Sequence, residues 1–341
     1  MVKDKVKIIA EAGVNHNGSL DLASEMIRQA KSFGADIIKF QSFQSDLIAT
    51  PSAEKASYQK KNSGNSENQF QMLKDLELSF DNQRELKEMC DHSEIEFLST
   101  PFDEKSAEFL SSLGLKTIKI ASGEITNLPL LEVVATNFDK VIMSTGMANL
   151  DEIHMALEIL FSKGLTKREI TLLHCTTEYP ASFKNLNLRA MKTIKETFDI
   201  DIGYSDHSLR KEASIAAVAL GAKVIEKHFT LDRNLSGPDH KASLQPEEFR
   251  DLIKSIRNIE VALGSSEKKP SKSELKNIPI ARKSIYAKCD IQKGEEFSIH
   301  NLISKRPALG ISPMKMKQII NLKAERDFKK DDLIQVKDLS K

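Results

Sequence analysis

Val6-Lys-Ile-Ile-Ala10 runs into Glu11-Ala-Gly-Val-Asn-His-Asn-Gly18, and then Ser19 opens a segment of helical period, Leu20 to Phe33, that stops at Gly34. A short apolar β-prone run, a polar exit, a capping serine and a closing glycine make one strand-loop-helix unit. Similar punctuation recurs at Gly164 and Gly221. Working outward from this unit, eight apolar runs alternate with helical segments: Val6 to Ala10, Ile37 to Phe40, Ile95 to Leu98, Thr117 to Ile120, Val141 to Met143, Ile170 to Leu173, Ile200 to Ile202 and Lys223 to Ile225. That alternation is the pattern of a parallel sheet crossed by helices. Eight units in about 260 residues match an α/β fold of the closed (β/α)8 TIM-barrel type, with an open doubly wound sheet as the alternative.

Each apolar run ends in polar residues, and a barrel places its chemistry at the C-terminal ends of its strands. After the first, the endings read Lys39-Phe-Gln41, Ser99-Thr100-Pro101, Lys119-Ile-Ala-Ser-Gly-Glu124, Ser144-Thr145-Gly146, His174-Cys-Thr-Thr-Glu-Tyr179, Gly203-Tyr-Ser-Asp-His207 and Glu226-Lys-His228. A closed barrel would gather them around one pocket. The stretch from Gln44 to Ser79 is too long for an ordinary connection and reads either as a flap over the mouth or as a surface insertion, with Gly64 in a flexible part of it.

The chain of 341 residues, 40% hydrophobic, can bury a large core with a smaller companion domain. Its 50 Lys plus Arg nearly cancel 49 Asp plus Glu, so no net field favours nucleic acid or an anionic membrane, and a small soluble substrate fits better. Met1 to Ala10 contains neither a signal peptide nor a membrane span, so the expected compartment is the cytoplasm. Cys90, Cys175 and Cys289 are far apart and form no CxxC, which points to reduced, mostly buried thiols; Cys175, among apolar neighbours, reads as an inert core thiol.

After Leu263 the composition turns polar, giving a barrel over 1–263, a linker over 264–281 and a second domain over 282–341. Inside the last, Asp290-Ile-Gln-Lys-Gly-Glu-Glu-Phe297 resembles Asp327-Phe-Lys-Lys-Asp-Asp-Leu-Ile334 at a spacing of 37, and Asn301-Leu302 recurs as Asp338-Leu339. Two similar β-turn units follow from that repeat. Between them lies Lys305-Arg-Pro-Ala-Leu-Gly-Ile-Ser-Pro313, a proline-stiffened loop carrying Arg306.

His207 and His228 end consecutive strands and could converge on one divalent cation, or be two hydrogen-bonded structural imidazoles. Glu11 and Glu226, on adjacent strands of a closed barrel, would neighbour them, and oxygen donors with two imidazoles suit Mn2+ or Mg2+ better than structural zinc. Lys39 and Lys119 at strand ends would bind phosphate or carboxylate, unless they are solvated surface lysines, with Thr100, Ser122 and Ser205 completing an anion cradle. Glu124 is a candidate acid or base. Asn15-His-Asn-Gly18 and Gly237-Pro-Asp-His240 read as turns at the mouth.

Taken together, Glu11-Ala-Gly-Val-Asn-His-Asn-Gly18, Lys39-Phe-Gln41, Thr100-Pro-Phe-Asp103, Lys119-Ile-Ala-Ser-Gly-Glu124, Ser144-Thr-Gly-Met147, Tyr204-Ser-Asp-His207, Glu226-Lys-His-Phe229 and Gly237-Pro-Asp239 resemble the bacterial N-acetylneuraminate (sialic acid) synthases and their legionaminic acid synthase relatives. The tail resembles the SAF domain, a small β-rich β-clip fold similar to type III antifreeze protein, through Arg306-Pro and Gly310-Ile. The resemblance implies condensation of phosphoenolpyruvate with N-acetylmannosamine and water to give N-acetylneuraminate and phosphate by carbon-oxygen cleavage. The alternative acceptor is 2,4-diacetamido-2,4,6-trideoxymannose, giving legionaminic acid; a non-catalytic sugar-binding or antifreeze-like protein is a more distant alternative. It further implies Mn2+ or Mg2+ on His207 and His228, and phosphoenolpyruvate on Lys39, Thr100, Lys119, Ser122 and Ser205. The acceptor would lie on Glu11, Gln41, Tyr179, Asp239 and Arg306, with Asn65 as a further contact. Glu11, Glu124, Glu226 and Lys119 would serve catalysis. A domain-swapped homodimer, with Arg306 acting in trans, is implied too. Ala308 and Thr177 depart from the family pattern, where glycine and asparagine are found.

Overall fold

The computed structural model describes residues 5–56, 59, 60, 62 and 68–340; Gly64 and Asn65 lie outside the described residues. Strands β1 (Lys7–Gly13), β2 (Ile37–Ser42), β3 (Glu96–Pro101), β4 (Thr117–Ile120), β5 (Lys140–Ser144), β6 (Ile170–Cys175), β7 (Asp201–Asp206) and β8 (Val224–His228) form one parallel sheet in the order β3-β2-β1-β8-β7-β6-β5-β4. The first strand pairs with the last, and β3 lies alongside β4 at the seam, so the sheet is a nearly closed barrel and the open-sheet alternative falls. Helix Leu20–Phe33 has the expected ends: Ser19 Oγ accepts from Leu22 N at 3.3 Å, and Gly34 takes the left-handed conformation at φ 87°.

Strand alternation explains what stands inside. Side chains along a strand point alternately outward and inward. Ile9, Ile37, Leu98, Ile142, Leu173 and Val224 point inward and form a small apolar cluster of their own, distinct from the larger core between sheet and helices. Gly203 fills the β7 position of this plug because a Cβ there would stand 2.4 Å from Leu173 Cδ2 and 2.6 Å from Val224 O. Two residues further along the same six strands come Glu11, Lys39, Thr100, Ser144, Cys175 and Glu226, which therefore share the next inward layer. Several strands thus run past their last apolar residue, to Gly13, Pro101, Asp206 and His228, because inward polar positions still belong to the ladder.

The insertion after β2 contains helices Ser45–Ile48 and Gln69–Leu76. Its second helix docks on the turn before the first long helix, where Gly18 has φ +73° and an added Cβ would meet Asp75 O at 2.5 Å. Asn62 Nδ2 donates to Pro238 O at 2.7 Å, tying the insertion to the loop after β8.

The chain divides into two compact units, one ending at Gly264 and the other beginning at Ser265. In the second, β9 (Ser284–Ala287) pairs antiparallel with β10 (Leu302–Lys305), and β11 (Lys323–Ala324) with β12 (Leu339–Ser340). Helical turns Lys272–Leu275 and Ile278–Ala281 occupy part of the stretch read as a linker. The repeat of 37 residues is visible as reciprocal bonding. Asp290 Oδ1 accepts from Lys330 N at 2.9 Å and Asp327 Oδ1 from Lys293 N at 2.7 Å, while Ile291 and Phe328 bridge each other. Asn301 caps Ser298 N as Asp338 caps Gln335 N, and Phe297 and Ile334 are both fully buried.

Candidate active site

A cavity of about 370 Å³ opens at the C-terminal end of the barrel. It is lined by Glu11, Lys39, Gln41, Thr100, Lys119, Ser122, Glu124, Tyr179, Ser205, His207, Glu226, His228 and Asp239, thirteen of the residues expected at the site, and by Ser144 and Cys175, strand-end residues to which the sequence gives no role there. Ser144 follows from its β5 register: its hydroxyl accepts from Lys119 Nζ at 2.6 Å. Cys175 faces this cavity instead of the outer core, with Sγ 3.1 Å from Ser122 Oγ, because it falls on the inward register of β6; burial raises its pKa and keeps it a thiol. Cys90 and Cys175 are buried free thiols and Cys289 is an exposed one, as the expectation of mostly buried thiols allows. Arg306 belongs to the second unit, where its Nε donates to Ala281 O at 2.8 Å.

The cavity floor carries two ammonium and two carboxylate groups. Lys39 Nζ lies 2.7 Å from Glu11 Oε2, 3.7 Å from Glu226 Oε2 and 2.9 Å from Thr100 Oγ1; Lys119 Nζ lies 3.9 Å from Glu226 Oε1. All four are 2–4% exposed, so these lysines are not solvated surface groups. Burial disfavours every one of these charges, and the balance differs by position. It raises the Glu11 pKa against the pull of Lys39, whereas at Glu226 Lys119, Lys39 and the Ser205 hydroxyl overcome burial and lower it. Burial lowers the Lys119 pKa; at Lys39 the opposing carboxylates outweigh burial and raise it.

On the β7–β8 side, Tyr179 stacks on His207 with centroids 4.2 Å apart, and the His207 and His228 rings are 5.3 Å apart. His207 Nδ1 lies 2.7 Å from Thr176 O, so it carries the proton and leaves Nε2 with its lone pair. Burial lowers the His207 pKa to about 4, and His228 is held well below its ordinary value by burial and by His207. Both imidazoles are thus neutral at pH 7, as ligands must be, and His228 Nδ1 is buried without a hydrogen-bond partner. No group of three or more His, Cys, Asp and Glu among the described residues could hold a metal ion. His207 and His228 would supply two ligands, and a cation held there would have to complete its shell with water or substrate oxygens.

Behind the imidazoles, on the outward face, Asp206 and Lys227 form a fully buried ion pair at 2.9 Å. Lys227 also donates to Ser208 O and Arg210 O, and Asp206 accepts from Ser208 N and Ser214 Oγ. The pair holds the backbone leaving His207 beside the strand that carries His228. The Asn15-His-Asn-Gly18 turn is likewise a bracket and not a cavity wall: Asn15 Nδ2 donates to Phe229 O and Ser243 Oγ, both at 2.8 Å.

Burial alone pushes Asp239 from 3.8 up to about 6. The folded state favours its protonated form, so stability falls as pH rises from 3.8 through about 6 and stays low above. Asp239→Asn should remove that fall and raise the melting stability of the ligand-free protein at pH 7.5, by at most about 3 kcal/mol. Thermal melts of both proteins at pH 4 and pH 7.5 check this; an equal difference at the two pH values would refute it.

Among the described residues no helix is long and apolar enough to cross a membrane. The chain matches the NeuB family over residues 26–268 and the SAF domain over residues 282–340. It is 54% identical over 330 residues to the N,N'-diacetyllegionaminic acid synthase of Campylobacter jejuni, covering 97% of this chain and 99% of that one. The N,N'-diacetyllegionaminic acid synthase of Legionella pneumophila is 48% identical, covering 92% and 88%. The crystal structure of an N-acetylneuraminic acid (sialic acid) synthetase from Leptospira borgpetersenii, in complex with citrate, is similar at a TM-score of 0.70 and 37% identity, covering 80% of this chain and 90% of that one.

Proposed function

Because the chain belongs to the NeuB family, we propose that it condenses phosphoenolpyruvate with 2,4-diacetamido-2,4,6-trideoxymannose and water, giving N,N'-diacetyllegionaminic acid and phosphate. The class of reaction rests on one observation above all: two lysines interleaved with two glutamates at the bottom of the barrel-end pocket, beside two neutral imidazoles. A purely sugar-binding protein has no use for such a costly buried ionic floor. The relatives support this acceptor, since the two legionaminic acid synthases are more similar to this chain, at 54% and 48% identity, than the sialic acid synthetase at 37%. N-acetylmannosamine, the acceptor first implied by the motifs, becomes the second reading.

The new bond joins C3 of phosphoenolpyruvate to C1 of the open-chain sugar; water adds at C2 and phosphate departs as the C2–O bond breaks. Lys39 and Lys119, with Thr100, Ser122, Ser144 and Ser205, neutralise and orient the phosphate and carboxylate so that the enol carbon is held against the aldehyde. A divalent cation on His207 and His228 would act as a Lewis acid toward the aldehyde. Glu11, Glu124 and Glu226 are the carboxylates placed to move protons, and Glu11, with its raised pKa, is the one that most readily holds one. Gln41, Tyr179 and Asp239 face the sugar.

Phosphate release should require both phosphoenolpyruvate and the sugar and should stop on adding a chelator. Release that ignores the sugar would sink the reading. We keep Arg306, from a second copy, among the acceptor contacts: mixing inactive Lys39→Met and Arg306→Ala proteins should restore synthesis, and no recovery would remove it.

A further inference from the structure

The cavity has two chemically different sides. On the side of β1 to β3 its wall includes Val14, Phe43, Ile48, Met72, Leu73 and Phe102. Val14, Phe43 and Phe102 come from the exits of β1, β2 and β3; the other three come from helices Ser45–Ile48 and Gln69–Leu76 of the insertion. Val14, Phe43 and Met72 are buried, whereas Ile48, Leu73 and Phe102 keep part of their surface open toward the cavity. The amides of Gln59 and Gln69 line the same cavity, also from the insertion.

An apolar wall is the wrong lining for a plain polyol. Each sugar hydroxyl laid against it would give up water without gaining a hydrogen-bond partner. Methyl groups gain by the same move. N-acetylmannosamine offers one methyl group and carries hydroxyls at C4 and C6. The 2,4-diacetamido-2,4,6-trideoxy sugar replaces those two hydroxyls by an acetamido group and a hydrogen, leaving C6 a methyl, so it offers three methyl groups.

Resting on the synthase reading above, we infer that this wall is the specificity-determining surface: Ile48, Leu73 and Phe102 select an acceptor sugar with apolar substituents over one with hydroxyls. The insertion is then the selective part of the site, and the charged floor is indifferent to which sugar is offered. Selection arises at the binding step, because the wall touches substituents remote from the aldehyde.

The test compares the two sugars by calorimetry on the full-length protein in the presence of phosphoenolpyruvate, without metal, and in parallel by phosphate release with Mn2+. The unaltered protein should prefer the diacetamido sugar by on the order of 100-fold, a discrimination within reach of a few methyl contacts. Leu73→Gln and Ile48→Thr, which each change the side chain by one heavy atom and place a polar group in the wall, should each cut that preference about tenfold. The cut should fall in sugar KM with little change in kcat. Two variants on different helices guard against one of them misfolding, and the melting curve of each reports its fold. Equal binding of the two sugars by the unaltered protein, or an unchanged preference in both folded variants, would overturn the inference. Phosphate release with neither sugar would overturn the synthase reading instead, and the calorimetric ratio would still decide the role of the wall.

Discussion

Lys39→Met should lower kcat/KM for phosphoenolpyruvate by on the order of 1,000-fold while the barrel stays folded. Lys39 is 3% exposed and sits among Glu11, Glu226 and Thr100, so its ammonium acts where solvent does not weaken it. Methionine keeps the length of the stem and removes the charge. The fold tolerates the change because Glu11, whose pKa burial already raises, takes up a proton and stays neutral, while Glu226 retains Lys119 and the Ser205 hydroxyl at 2.8 Å. Steady-state phosphate release together with a melting curve checks both halves. A folded variant that keeps a tenth or more of the activity would show that Lys119 and the hydroxyls suffice, and would remove Lys39 from the anion cradle.

Lys227→Met should destabilise the protein by about 3–5 kcal/mol, the cost of leaving the Asp206 carboxylate buried without its counter-charge. Both side chains are 0% exposed, so no water can replace the lost ammonium. Adding Asp206→Asn should recover most of that loss, since the amide oxygen can still accept from Ser208 N as Asp206 does at 2.9 Å. Urea unfolding of the two variants at one pH is the measurement. A single variant as stable as the parent would show that the buried pair adds nothing to stability.

The barrel was legible because eight apolar runs alternate with helical segments, punctuated at Gly34, Gly164 and Gly221, and because polar residues follow the last apolar one at a fixed register. Glu11, Lys39, Thr100 and Glu226 lie two positions beyond Ile9, Ile37, Leu98 and Val224, so alternation alone sends them inward. The same arithmetic contained Ser144 and Cys175, two beyond Ile142 and Leu173. Ser144 reads only as one polar strand ending among several, and a cysteine among leucines looks like core. Asp206 and Lys227 were passed over as neighbours of the histidines, although alternation places them behind the site. The apolar wall was hidden for another reason: Gln-Phe-Gln-Met-Leu-Lys-Asp-Leu is an amphipathic helix whose apolar face reads as packing, and only its placement over β1 to β3 leaves that face partly open. Whether the insertion covers the mouth or merely decorates the surface was undecided in the sequence. Its residues line the cavity, which favours the first.

The second unit invites a different kind of experiment. Its two halves exchange aspartates: Asp290 secures the turn at Lys330, and Asp327 secures the turn at Lys293. Ile291 and Phe328 likewise bond only across the exchange. Each turn also closes on itself, Glu295 N on Gln292 O and Asp332 N on Lys329 O, but each half needs the other's aspartate to hold that turn and the two share one apolar core. Cutting the backbone in the loop after Lys305 should therefore yield fragments that are unstructured apart and reassemble when combined, a mutual dependence that makes the pair one cooperative entity despite its duplicated sequence.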